Sequence, residues 1–201
     1  MNPYFDALPS VVEIGGREYP VFTDFRAWLE FETLCMDEEI ELEDKLLNMV
    51  DWYECQEDMP NTLEEAIVGL LWFFRCGNIQ SEDKAKERMS KAKHVQPDMK
   101  KCLPLIYAAF RQCYGIDLYS ANLHWWEYRA LLEALPQGTR FADVLSLLAA
   151  PVGKETKEQK AYREEVRESF GSTGKNSGKA KTIEERDREL IESAKRRKNR
   201  P

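Results

Sequence analysis

The stretch Ile116–Phe141, IDLYSANLHWWEYRALLEALPQGTRF, decides the reading of this chain. It places His124, Trp125, Trp126, Tyr128 and a ladder of leucines in one predicted helix. Asp117 or Ser120 supplies an N-cap, and Pro136-Gln137-Gly138 breaks the pattern after Leu135. Leu123, Trp126, Ala130, Leu131 and Ala134 fall on one apolar stripe; Trp125, Tyr128 and Leu132 fall on a second beside it. Two stripes predict a helix lying between two neighbours.

Working outward from that helix, the chain reads as mainly α. Upstream, Met99, Cys102, Leu103, Ile106, Tyr107, Phe110 and Cys113 recur at helical spacing up to Gly115. Pro104 inside that pattern predicts a kink or a helix that begins near Leu103, because an interior proline costs about 3 kcal/mol. Residues 81–93 are helix-permissive but nearly all polar. Before them, Pro60-Asn61-Thr62-Leu63-Glu64-Glu65 opens AIVGLLWFF, apolar on every side and so read as the core helix. Leu42, Leu46, Met49, Val50 and Tyr53 share one face of a helix over 41–54. Phe25, Trp28, Leu29, Glu32 and Cys35 mark another, capped by Thr23 or Asp24. Val11–Ile14 and Arg17–Val21 flank Gly15-Gly16 as a β-hairpin, with Pro20 confining the second strand to an edge. The core is expected to include Trp28, Leu70, Leu71, Phe110, Trp125, Trp126 and Leu131.

Downstream, Thr139 caps a short helix that ends before Pro151. Residues 154–170 form a charged helix anchored by Ala161, Tyr162, Val166 and Phe170. GSTGKNSGKAK, residues 171–181, is a flexible linker by composition. Thr182 and Glu185 stand at capping-box spacing before a last helix, acidic early and basic late, with Ile183, Leu190, Ile191 and Ala194 on a face. The expected organisation is a helical core over 1–153 with its hairpin, a charged helix over 154–170, the linker, and a C-terminal charged helix over 182–201. Thin-striped helices of that kind are marginal alone and fold against partners.

Charge is unevenly spread. Residues 1–153 carry 14 Lys and Arg against 26 Asp and Glu; residues 154–201 carry 15 against 10. An acidic body suits nucleic acid poorly. Between 37 and 65 there are 12 acidic residues and one basic residue, Lys45. That face is either plain solvated surface or a docking site for a basic partner, its candidates being Asp37, Glu38, Glu39, Glu41, Glu43 and Asp44. Leu190, Ile191, Lys195, Arg196 and Arg197 are the matching candidates in the last helix.

Catalytic signatures are weak. Five cysteines without a C-x-x-C and two histidines argue against a disulfide framework or a zinc site, and predict buried free thiols. His124 and Glu127 could meet on a helix turn as an acid–base pair, but neither a nucleophile nor further ligands accompany them, and packing beside the tryptophans is the better reading. Gly171–Asn176 has the wrong spacing for a phosphate loop. No cofactor is expected, and no enzyme activity. Met1–Ser10 lacks the apolar run of a signal peptide, and Ala66–Phe74 is shorter than the ~20 residues of a membrane span. A cytoplasmic protein is expected.

Tyr107-Ala108-Ala109-Phe110, Tyr114-Gly115-Ile116-Asp117-Leu118, Leu123-His124-Trp125-Trp126 and Arg129-Ala130-Leu131-Leu132-Glu133-Ala134-Leu135 together carry a resemblance. Thr139-Arg140-Phe141 and Lys160-Ala161-Tyr162-Arg163 extend it, and more loosely it covers about residues 5–170. The chain resembles a family of small bacteriophage proteins encoded beside the tail-tube and tape-measure genes in long-tailed phages of Gram-positive bacteria, regarded as tail-assembly chaperones. The resemblance implies a non-enzymatic protein that binds the tape-measure protein and the tail-tube protein in the host cytoplasm and is absent from the mature virion. Self-association is left open, and no residue roles carry over. Two alternatives remain: a nucleic-acid-binding regulator or packaging accessory using the basic C-terminus, and a minor structural tail component.

Overall fold

The computed structural model describes residues 7–37, 39–78, 97–150, 155–171 and 183–198. The predicted helix over 81–93 and the linker over 172–181 lie outside them. The described residues form eight α-helices and one two-stranded antiparallel sheet, so the architecture is mainly α with an N-terminal hairpin, as the sequence predicts. They divide into two units. The first takes residues 1–81, 122–129 and 181–201; the second takes 82–121 and 130–180.

In the first unit, β1 (Val11–Ile14) pairs with β2 (Arg17–Pro20), Val12 opposite Tyr19. Gly15 and Gly16 hold φ of +61° and +80°, the turn conformation that favours glycine. The hairpin rests on α3 (Leu63–Phe74) at Gly69. A Cβ there would stand 2.9 Å from Ile14 Cδ1 and 2.9 Å from Tyr53 Oη, so glycine is what lets the sheet approach. Thr62 caps α3, its hydroxyl accepting from the Glu65 amide at 3.2 Å. Seven of the helix's twelve residues are buried, as expected of a core helix.

α1 (Phe25–Met36) starts at Asp24, whose carboxylate accepts from the Arg26 amide at 2.8 Å, and it buries Phe25, Trp28 and Phe31. α2 (Leu42–Met49) is shorter than the predicted 41–54 and passes into a 3₁₀ turn over Val50–Trp52. The cause is tertiary. The Phe22 amide donates to Trp52 O at 3.1 Å and the Glu54 amide to Pro20 O at 3.0 Å, which demands extended backbone where the periodicity suggests helix.

α5 (Trp125–Glu133) corrects the central prediction, because it does not start at Asp117 or Ser120. Asp117 instead closes a turn, its side chain accepting from the Tyr119 amide at 3.0 Å. The chain before α5 is held extended: the Phe25 amide donates to Leu123 O and the Trp125 amide to Thr23 O at 2.7 Å. That later start fixes which stripe is buried. Trp125, Tyr128 and Leu132 are inside, while Ala130 and Ala134 are exposed and Trp126 and Leu131 are half-buried. The expected core residues Trp28, Leu70, Leu71, Phe110 and Trp125 are buried.

In the second unit, α4 (Met99–Tyr114), α6 (Arg140–Ala149) and α7 (Lys157–Phe170) pack together, with Val144, Leu148 and Val166 at their centre. Pro104 neither delays nor splits α4, which starts at Met99 with Asp98 as its cap. Both Pro104 and Lys100, whose carbonyl loses its usual donor, are exposed, so water can serve the orphaned group. In α7 the sequence anchors are incomplete: Ala161 and Tyr162 are exposed, and Arg163 is buried with its guanidinium 2.7 Å from Glu155.

The C-terminal helix, α8 (Ile183–Lys198), is not a free tail. It packs on α3 and α2 within the first unit and buries Leu190 and Ala194. Among the described residues, no helix is long and apolar enough to cross a membrane.

Candidate partner-binding surfaces and the double-tryptophan cap

The last carbonyls of any helix lack intrahelical donors. α3 ends inside the aromatic core, where water cannot supply them, and the two tryptophans do so instead. The Trp125 indole N–H donates to Phe74 O at 2.9 Å and the Trp126 indole N–H to Phe73 O at 2.9 Å. Around these bonds Trp125 stacks on Phe74 at 5.3 Å with an 8° interplanar angle, and on Tyr128 at 5.7 Å. Trp28 lies 6.3 Å from Trp125 and 4.8 Å from Phe73. Adjacent tryptophans were legible as core, but their role as a cap for a helix some fifty residues upstream was not.

His124 holds the start of α5. Its Nδ1 accepts from the Trp126 amide at 3.0 Å, which leaves Nε2 to donate to Pro9 O at 2.9 Å. The ring is therefore neutral with its proton on Nε2, and its pKa is lowered, burial being the largest cause. Glu127 is exposed, and both imidazole nitrogens are spent on backbone groups. The geometry matches the packing role rather than the acid–base pair.

The acidic candidates are not equivalent. Asp37 ends α1, and its carboxylate accepts from the Glu39 amide at 2.9 Å, so it shapes the turn. Glu38 lies outside the described residues. Glu39, Glu41, Glu43 and Asp44 are exposed, Glu41 as the N-cap residue of α2 and the last two in its first turn. Acidic side chains favour that end of a helix. Asp51, Glu54 and Glu57 continue the exposed acidic surface, and Leu47 stands on it 47% exposed. Asp58 is engaged by Arg17.

The α8 candidates also divide. Leu190 is 3% exposed and Ile191 half-buried, so Leu190 is core in this arrangement rather than open surface. Lys195 pairs with Glu64 at 3.5 Å and Arg196 with Glu192 at 3.8 Å. Arg197 is exposed and, with Asn61, Thr62, Leu63 and Ala194, lines a hollow of about 350 Å³.

The sequence reading missed a group of charges under α8. Arg75, directly after α3, forks onto Asp187 with two bonds of 2.9 Å. Burial pushes the Glu32 carboxyl up, against the pull of Arg129, Arg75 and Arg186. Burial also lowers the Arg186 pKa, with Arg75 adding to it, and lifts the Cys35 thiol to about 12. No local spacing could announce a pair 112 residues apart.

The cysteines are free. Cys102 is buried, but Cys55 is exposed and the other three are intermediate, so burial of all five does not hold. Among the described residues, no three His, Cys, Asp or Glu side chains converge as metal ligands.

No curated protein and no solved structure matches the chain. A family model described as Bacteriophage Gp15 protein matches residues 4–171, which takes in the hairpin, the capped core helix, the double tryptophan and α7. By that match the chain belongs to the Bacteriophage Gp15 protein family.

Proposed function

We propose that this phage protein is a tail-assembly chaperone or adaptor that binds the tape-measure protein and tail-tube subunits in the host cytoplasm and is left out of the finished particle. The observation that carries the reading is the exposed face around α2. Glu41, Glu43 and Asp44 lie beside the half-exposed Leu47 on a body whose first 153 residues are strongly acidic. A single-sign surface raises encounter rates with basic segments, and the apolar side chain at its centre offers the contact that holds them. The role needs surfaces rather than reacting groups, and the chain is offered as a non-enzyme.

The test is capture. The tagged chain is co-expressed with the tape-measure protein of the same phage and purified at low and high salt. Binding through this face predicts co-purification that weakens as salt rises, and at least ten-fold less captured client for the triple variant E41K/E43K/D44K. These side chains are exposed, so the variant should keep its far-UV circular dichroism. Undiminished capture by a folded triple variant removes the acidic face from the account; no capture by either chain removes the chaperone reading.

A further inference from the structure

The family match stops at residue 171, and α8 lies beyond it, yet α8 covers a face of the matched body. Its seat is built at both ends of α3. Arg75, at the C-terminal end, takes the Asp187 carboxylate in a two-bond fork; Glu64, in the first turn, takes Lys195. Asp187 precedes Lys195 in α8 while Arg75 follows Glu64 in α3, so the two helices run antiparallel. Between the ion pairs, Leu190 and Ala194 are 3% and 1% exposed. Positions 187, 190, 194 and 195 thus read as a carboxylate, an aliphatic three residues on, a small residue four further, and a cation next to it.

The seating is slight for a helix of this length. α8 is mostly charged, and only those two apolar side chains are fully buried. The Lys195–Glu64 pair is solvent-exposed enough to contribute little. A helix of this composition has small stability of its own and is held by what it docks against. Its connection to the rest of the chain is a Gly-, Ser- and Lys-rich sequence, which keeps it near its seat as a tethered ligand.

We propose that the α2–α3 face between Glu64 and Arg75 is a helix-docking site, that α8 is its resident and exchangeable occupant, and that a partner's amphipathic helix carrying the same carboxylate–aliphatic–small–cation pattern displaces it. The inference does not depend on the chaperone reading, since it specifies a helix pattern and not the tape-measure protein. α8 would then regulate access, lowering the partner's apparent affinity by the ratio of its own effective concentration to its intrinsic dissociation constant. With about 1 mM for a short tether and about 0.1 mM for a weak helix contact, that ratio is about ten-fold.

The test uses a fluorescently labelled peptide of residues 182–201, titrated with the full-length chain and with the full-length D187R/L190D variant, whose seat is intact but whose own α8 is disarmed. The proposal expects the variant to bind the peptide about ten-fold more tightly than the native chain does. A peptide with the same two substitutions should bind neither protein. Adding R75D to the variant should abolish binding of the native peptide and restore binding of one carrying D187R alone. Equal affinity of the native and disarmed chains, with native circular dichroism in both, overturns the proposal. Should the variant lose its fold, hydrogen exchange on the native chain decides: excess unlabelled peptide must deprotect 185–198 while sparing α3, and unchanged protection overturns the idea. Sedimentation of the native chain closes the remaining route. A dimer that L190D dissolves would assign the seat to a second copy's α8 and overturn the partner-helix proposal.

Discussion

Replacing Trp125 with phenylalanine separates the two jobs that the structure gives the indole. Phenylalanine keeps a ring against Phe74, Tyr128 and Trp28 but cannot donate to Phe74 O. The carbonyl is then a buried acceptor without its donor, a loss of about 1–3 kcal/mol. The smaller ring leaves a void worth about 1 kcal/mol more in a tightly packed core. The expected cost is therefore about 2–4 kcal/mol. Trp126→Phe, at a half-buried site where water can reach Phe73 O, should cost only about 1 kcal/mol. Urea unfolding followed by far-UV circular dichroism measures both, and unchanged slopes would show that the midpoints report stability. If Trp125→Phe costs less than about 0.5 kcal/mol, or no more than Trp126→Phe, the capping argument is wrong.

Three further outcomes follow from single contacts. Gly69→Ala brings a methyl group against Ile14 Cδ1 and Tyr53 Oη, which itself donates to Ala66 O at 2.8 Å, so a loss of about 1–3 kcal/mol is expected in the same urea assay. Glu155→Ala strips a carboxylate from the buried Arg163 guanidinium, and thermal unfolding should report a loss of about 1–3 kcal/mol that Glu155→Asp partly recovers. His124 predicts an acid sensitivity. Its folded pKa lies below 6.5, so as pH falls through 6.5 the unfolded chain takes up a proton that the native ring refuses, and stability drops until the folded value is passed. Glu32 acts in the opposite sense, costing stability as pH rises above 4.5, so the comparison must be a difference between native chain and His124→Asn. That variant should show a flatter decline in urea midpoint between pH 7.5 and 5.5, and an identical decline would contradict the assignment.

What could be read from the sequence follows the reach of each signal. The hairpin, α1, α3 and α6 announce themselves by turn glycines, caps and periodicity within a dozen residues, and they stand where local chemistry puts them. Errors occur where distant backbone decides. Residues 52–54 pair with 20–22 and cut α2 short; residues 123–125 pair with 23–25 and delay α5 until Trp125. Pro104 is tolerated because the carbonyl it orphans faces water, and the periodicity does not say which way that carbonyl faces. At the candidate surfaces, exposure of Glu41, Glu43 and Asp44 was legible from their place on the polar side of an amphipathic helix. The docking of α8 was not, because its thin stripe and matched charges suit a partner helix and the chain's own α3 equally well. The Arg75–Asp187 fork, the indole caps and the buried Arg163 depend on approach between residues that no window of sequence brings together.

The most direct measurement of the central claim, that the chain acts by holding another protein, is the soluble fraction of the tape-measure protein expressed alone and with this chain at matched levels. The account predicts that co-expression moves the tape-measure protein from the pellet to the supernatant in a complex with the chain. A tape-measure protein that is equally insoluble in both cases, with the chain itself folded and abundant, contradicts it.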